Sequence, residues 1–191
     1  MRVFVSIADV EAPYRMQDMG ELSERMTLWD LRGRCLSRVV HHLEPGLRDI
    51  SRHFWYNEQF LPYRGERTLI RDITAASSVH LELRPDHYRV RIGKKPAVLF
   101  AIDPELPVAD VIDRCLGKTG ASQCYELTGY AARVLHPERS LWEQGVLPVR
   151  ESPVMEQPLL LLRHKRSVIV WQATLLAVAV ILGFTIGYLL R

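Results

Sequence analysis

The chain has 191 residues, of which 48% are hydrophobic, and it carries a formal net charge of +3. Much of that charge comes from one basic cluster near the C-terminal end and from Arg191, so the rest of the chain is close to neutral. A near-neutral chain lacks the strongly basic surface of a nucleic-acid binder, and we expect no nucleic-acid partner. The three cysteines form no C-x-x-C pair, which argues for reduced thiols rather than disulfides.

The first elements along the chain are two strands and a helix. Residues 1–7 alternate in β-branched and aromatic character, which predicts a strand, and residues 14–22 predict a second one. From Thr27 the apolar period changes to three and four residues, which predicts a helix that is capped by Thr27 and stopped at residues 44–46. Its apolar stripe consists of Leu28, Leu31, Cys35 and Val39.

Three further segments complete this half. Residues 54–56 and 60–61, with a turn between them, predict two short strands, and residues 78–84 predict a closing strand. This order and these residues resemble ubiquitin: residues 1–5 are similar to its opening strand, and residues 54–61 align with its third strand, turn and fourth strand. The resemblance covers nearly all of residues 1–84 and implies a β-grasp fold.

After a short polar link at residues 85–87, the pattern begins again. Residues 88–92 and 97–102 predict a hairpin, and a second helix follows with Val108, Val111, Ile112, Cys115 and Leu116 on its inner face. Residues 125–128 and 158–162 predict further strands. Asp30, Arg34, Cys35 and Leu36 match Asp110, Arg114, Cys115 and Leu116 at a constant offset, which indicates an internal repeat.

The last part of the chain predicts a membrane anchor. A basic collar is followed by residues 168–190, which contain no charged side chain and are long enough as a helix to cross a bilayer. Because the collar precedes the span, we expect the N-terminal part to be cytoplasmic and the protein to be single-pass and tail-anchored. The collar consists of Arg163, His164, Lys165 and Arg166.

Small residues recur every four positions within this span. Ala179, Gly183 and Gly187 line one helix face, where another backbone can approach closely. This spacing predicts self-association or packing on a partner helix, with a plain lipid-facing anchor as the alternative.

The predicted fold class is therefore α+β, with two tandem ubiquitin-like β-grasp domains followed by one transmembrane helix. The first domain covers residues 1–84 and the second covers residues 88–163. The link covers 85–87, the juxtamembrane segment 164–167 and the membrane helix 168–190.

We expect no enzymatic activity and no cofactor, because no Gly-rich phosphate loop, metal-ligand cluster or catalytic constellation occurs in the sequence. A conjugated ubiquitin-like protein ends in an accessible Gly-Gly. Here Arg84 is followed by Pro85-Asp86 and Arg163 by His164-Lys165, and this departure argues against a modifier role.

The resemblance also implies where partners bind. By alignment with the apolar patch on ubiquitin's outer sheet face, the positions in the first domain are Trp55, His80 and Glu82. An exposed Trp55 is expected to be a binding hot spot, and the alternative is that another part of the chain covers it. The matching positions of the second domain are Glu126, Leu159 and Leu161. Residues 159–162 are all leucine, so one face of this strand is expected to meet the first domain, a partner or the bilayer.

These features predict a non-enzymatic protein that recruits or scaffolds protein partners at the cytoplasmic membrane face. Bacterial YukD-like ubiquitin-like proteins of type VII secretion are similar in fold and, in some members, in their fusion to membrane segments. The alternative is a component of a ubiquitin-like modification pathway, as an atypical modifier or as a docking protein for its enzymes.

Overall fold

The structure, a computed structural model, describes residues 1–23, 25–129, 132–149 and 159–165, together with residues 174, 176, 178 and 180. It is an α+β fold with two mixed sheets, each packed on one helix, and this arrangement fits a ubiquitin-like fold. We call the parts of the chain that form the first and second sheets the first and second units.

The first unit has a five-stranded sheet. Its strands are β1 (Arg2–Ile7), β2 (Met16–Glu21), β3 (Arg52–Tyr56), β4 (Gln59–Leu61) and β5 (Ser78–Pro85), in the order β2-β1-β5-β3-β4. The central β1 and β5 are parallel, and the other pairs are antiparallel. The unit's helix, α1 (Leu28–Val39), begins with a capping box in which Thr27 accepts from the Asp30 backbone N–H, as its sequence predicts.

The second unit repeats this plan with four strands. They are β6 (His87–Ile92), β7 (Val98–Ala101), β8 (Tyr125–Thr128) and β9 (Leu159–His164), in the order β7-β6-β9-β8, and β6 is parallel to β9. The helix α2 (Val108–Leu116) ends at Gly117, which has a left-handed φ of 60° that favours glycine.

Each unit has its own hydrophobic core between sheet and helix. In the first, Val3, Val5, Leu81 and Leu83 of the parallel pair pack on the apolar stripe of α1, and all four predicted stripe residues are fully buried. In the second, Val90, Leu160 and Leu162 pack on Val108, Val111 and Ile112. In each core, the buried strand residues recur every two positions and the buried helix residues every three or four, as the two apolar periods of the sequence predict.

Several predicted bounds differ from the observed ones. The second strand is shorter than residues 14–22, and β7 is shorter than residues 97–102. The strand predicted at 158–162 runs instead from Leu159 to His164. Between β5 and β6 only Asp86 lies outside a strand, because Pro85 and His87 belong to the flanking strands.

No helix among the described residues is long and apolar enough to cross a membrane. Most of the predicted span at residues 168–190, including Ala179, Gly183 and Gly187, lies outside the described residues, as does Arg166. The membrane anchor and its packing face therefore stay predictions.

Candidate protein-interaction surfaces

The outer face of the first sheet is largely closed around Trp55. The indole is only 9% exposed, although it belongs to neither hydrophobic core. The ring of Phe60, its cross-strand neighbour, meets it edge-on at 5.7 Å, and the Arg84 guanidinium lies 5.1 Å from its centroid. Trp55 thus lies on the outer side of the sheet, as the alignment predicts, but it is covered rather than exposed.

The other two predicted positions of this face differ from each other. His80 pairs with Phe4 across β1 and β5 and is exposed. Glu82 is half-buried and accepts a 2.5 Å hydrogen bond from Arg84, the same side chain that covers Trp55. Of the three residues, His80 alone presents an exposed side chain to a partner.

A buried ionic cluster continues this face toward the second unit. His53 is 1% exposed, and its Nδ1 lies 2.7 Å from Oδ2 of Asp86, which is fully buried. Its Nε2 lies 3.4 Å from Oε1 of Glu105, a distance that permits ion pairing although the hydrogen-bond geometry is poor. Ser51 donates a further hydrogen bond of 2.8 Å to Asp86.

The electrostatics of the cluster favour a protonated imidazole. Burial lowers the pKa of His53, but the hydrogen bond and charge of Asp86, together with the nearby carboxylates of Glu105 and Asp103, outweigh burial and raise this pKa to about 9. For Glu105, burial acts to raise the pKa, but the interaction with His53 outweighs burial and holds this pKa below its ordinary value. For Asp86, burial prevails and the pKa is raised.

Glu105 also joins the units through the backbone. Its carboxylate accepts from the N–H groups of Tyr63 and Arg64, which lie in the first unit, while Glu105 precedes α2 in the second. The Tyr63 ring stacks on His53 at 4.1 Å. The end of the first sheet's outer face is therefore a contact within the chain, and we call His53, Tyr63, Asp86 and Glu105 the junction cluster.

The junction cluster was not anticipated from the sequence. Its members are separated by 10 to 52 positions, as their numbering shows, and none falls in a recognisable motif. The one available signal was an Asp within a very short link between two strands, where a carboxylate close to both units is well placed to join them.

The outer face of the second sheet is more open. Leu160 and Leu162 point into the core, whereas Leu159 and Leu161 are half-buried on the opposite face. Beside them in register are Arg89, which pairs with both Leu159 and Leu99, and Arg91, which pairs with Leu161.

Two exposed apolar residues extend this face at both sides. Leu99 is 53% exposed, and Val134, which bridges to Thr128 next to Leu161, is 49% exposed. We call Leu99, Val134, Leu159 and Leu161 the outer leucine face. Apolar groups flanked by arginines are typical of protein-binding surfaces, in which arginine is enriched and lysine is depleted.

An arginine of the last strand contacts the outer face of the sheet in both units. The sequence alignment matches Arg84 with Arg163 and Trp55 with Glu126, whereas the strand register pairs Arg84 with His53 and Arg163 with Glu126. Arg84 covers Trp55, and the Arg163 Nε donates to Glu126 at 2.7 Å. The two arginines therefore engage side chains at different register positions of the two sheets.

The described part of the basic collar belongs to the second unit rather than to a free linker. Arg163 and His164 are the last residues of β9, and the His164 ring packs on Tyr125 at 4.0 Å. The Lys165 N–H donates to the Cys124 carbonyl at 2.9 Å. These contacts extend the sheet up to three residues before the predicted span.

The described residues contain no group of three or more His, Cys, Asp or Glu side chains arranged to hold a metal. No protein-family model matches the chain, and no curated protein sequence matches it. Among solved structures, it is similar to the solution structure of a computationally designed protein based on the template of human erythrocytic ubiquitin. That match has 24% identity and a TM-score of 0.31, and it covers 42% of this chain and 92% of the designed protein.

Proposed function

We propose that this chain is a non-enzymatic, membrane-anchored protein whose two tandem ubiquitin-like units recruit or scaffold protein partners at the cytoplasmic membrane face. The anchor is the uncharged segment at residues 168–190, and the recruiting surface is the outer leucine face of the second unit. A type VII-like secretion assembly, in which YukD-like proteins occur, is the setting that this combination of fold and anchor favours.

The observation that supports this assignment most is the exposure of the outer leucine face. Leu99 is 53% exposed and lies on the same side of the sheet as half-buried Leu159, with Arg89 of β6 paired between them. Apolar side chains that are exposed on one face of a sheet favour an interface, since burying them in a partner is favourable by about 25 cal/mol per Å². The outer face of the first unit has fewer side chains available to a partner, because Trp55 is covered and Glu82 is paired with Arg84.

The proposal is tested by photocrosslinking in native membranes. A photoreactive amino acid replaces Leu99 in one full-length variant and Met16 in a control, because Met16 is 52% exposed and lies on edge strand β2 of the first unit. We expect a discrete light-dependent product from the Leu99 position that disappears when Leu161→Glu is added. Equal products from both positions, or none from Leu99, would contradict the proposal.

The same gels separate recruitment from the rival modification pathway. A higher-mass product that forms without light and survives denaturation is a covalent conjugate, and it would contradict the scaffold proposal. Extraction of the membranes with alkaline carbonate tests the anchor separately, because a chain held by a transmembrane helix stays in the membrane pellet.

A further inference from the structure

All four lysines of the chain lie at one end of the second unit. Lys94 and Lys95 form the turn between β6 and β7, Lys118 follows the end of α2, and Lys165 follows β9. The other basic side chains of the chain are arginines and histidines, which are distributed over both units.

Strand polarity explains this convergence. Because β6 and β9 are parallel and their pairing ends at Ile92 and Leu162, two residues before the end of β9, the turn that carries Lys94 lies beside the last residues of β9. The Gly93 N–H donates to the Leu162 carbonyl at 2.9 Å, which fixes the turn there. Strand β8 is antiparallel to β9, so it starts at this same end, with Tyr125 opposite His164.

Lys118 reaches the same end through the helix. The Lys118 N–H donates to the Asp113 carbonyl at 3.1 Å in the cap of α2, and the short segment after it leads to Cys124. Cys124 accepts the Lys165 N–H, so the connection from Lys118 meets the end of β9. We call Lys94, Lys95, Lys118 and Lys165 the lysine end.

The positive charge of the lysine end is not neutralised locally. Lys94, Lys95 and Lys118 are exposed, and no carboxylate of the described residues forms an ion pair with any of the four ammonium groups. The nearby Asp113 carboxylate accepts from the Gly120 and Ser122 N–H groups, at 2.6 and 3.1 Å. Glu126 is engaged by Arg163.

The predicted span begins three residues after Lys165. Three residues reach about 10 Å at most, so an anchored chain holds Lys165 within roughly that distance of the membrane interface and turns the rest of the lysine end toward it. Ammonium groups at this distance lie within the Debye length of about 8 Å to 10 Å over which charged headgroups attract them.

We propose that the lysine end binds the headgroups of anionic phospholipids and holds the second unit upright on the bilayer. This inference rests on the proposed membrane anchor. Strands β6 and β9 then point toward the membrane, and the outer leucine face stands to the side of the unit, where a membrane-bound partner reaches it. The ammonium group suits this role because it is a compact charge on a flexible stem that adapts to mobile phosphates.

A native thiol permits a direct test. Cys124 is exposed and lies next to Lys165, whereas Cys35 and Cys115 are buried. Burial raises the pKa of Cys35 to about 12 and that of Cys115 to about 11, so a maleimide dye at neutral pH reacts preferentially with Cys124. Energy transfer from this dye to headgroup-labelled lipid reports the distance between the lysine end and the bilayer.

The full-length chain is reconstituted into vesicles of phosphatidylcholine alone or of phosphatidylcholine with phosphatidylglycerol. We expect higher transfer efficiency with the anionic lipid, and a return to the neutral value at high salt. The variant K94Q/K95Q/K118Q should show the same transfer efficiency in both lipids. Each lysine contributes roughly a fivefold preference for anionic headgroups, so removing three lowers that preference on the order of 100-fold. The control R25Q/R34Q/R67Q removes equal charge from exposed positions of the first unit and should retain the difference.

The outcomes distinguish this inference from the anchor. Equal transfer efficiency in both lipids, or an equal loss in the lysine variant and the arginine control, would contradict lipid binding by the lysine end. The anchor is judged separately, because insertion that resists carbonate supports it in either case. A chain that floats with anionic vesicles only, through its lysines, and is released by carbonate would support the lysine end and contradict the anchor. A chain that associates with neither vesicle would contradict both.

Discussion

The two units share the order and direction of four strands but differ on the outer faces of their sheets. In the first, Trp55 is covered by Arg84 and the neighbouring His53 is buried in the junction cluster. In the second, Leu99 and Val134 are about half exposed at the two sides of the face, each one strand away from half-buried Leu159 and Leu161. The two cores are therefore built alike, whereas the outer faces differ: the first contributes to the contact between the units, and the second keeps exposed apolar side chains at its sides.

The strongest test of this contrast is to remove the buried carboxylate of the junction cluster. We expect Asp86→Ala to lower the free energy of unfolding by about 3–5 kcal/mol, because it leaves the His53 charge buried without its closest partner. The matched control is Glu126→Ala, which breaks the more exposed pair with Arg163 and should change stability by about 1 kcal/mol or less.

These changes can be measured in each unit separately by trapping thiols during urea unfolding. Cys35 lies in the first core and Cys115 in the second, so their labelling midpoints report the two units individually. Equal effects of Asp86→Ala and Glu126→Ala would show that the junction is no more important for stability than the open face.

The same cluster predicts how stability depends on pH. The folded pKa of His53 is about 9, above its ordinary value of 6.5, so the folded state binds the proton more tightly than the unfolded state. The stabilisation is complete below about pH 6.5 and is lost as the pH rises through 9, with a total on the order of 3 kcal/mol.

Urea midpoints from tryptophan fluorescence between pH 6 and 10 check this expectation, and His53→Gln is the control. We expect this variant to be less stable at neutral pH but to have a flatter pH profile. A wild-type midpoint that stays constant across this range would contradict a protonated His53.

A smaller effect is expected from the covered indole. Trp55→Ala should lower the free energy of unfolding by about 2 kcal/mol, less than the roughly 3–5 kcal/mol of a large aromatic residue in a core. Leu99→Ala should cost under about 1 kcal/mol, because the Leu99 side chain already meets water. Urea titrations of the two variants measure both changes in the free energy of unfolding. Similar changes would mean that the two outer faces are equally open.

The smallest effects concern the helix ends. Thr27→Ala removes the capping box of α1, and Gly117→Ala places a side chain at the left-handed end of α2; each should cost about 1 kcal/mol. If the units unfold independently, the first change shifts only the labelling midpoint of Cys35 and the second shifts only that of Cys115. Equal shifts of both thiols from either change would show that the two units unfold together.

The sequence was sufficient to predict local elements but not the contacts between units. The stripe of α1 and the Thr27 cap follow from spacing over a few residues, and the structure has both. His53 and Glu105 meet from positions 52 residues apart, and only the packing of the two units brings them together. The sequence does not determine the exposure of Trp55 for a similar reason, because its cover depends on the side-chain position of Arg84, which alternation along a strand does not determine.

The most direct test of the difference between the faces is to compare His80 with Leu99 as photocrosslinking positions in native membranes. Both are exposed and lie on or beside the outer face of their own sheet. The account predicts a discrete partner product from the Leu99 position and none from the His80 position. A partner product from His80 with none from Leu99 would contradict it, and would place recruitment on the first unit instead.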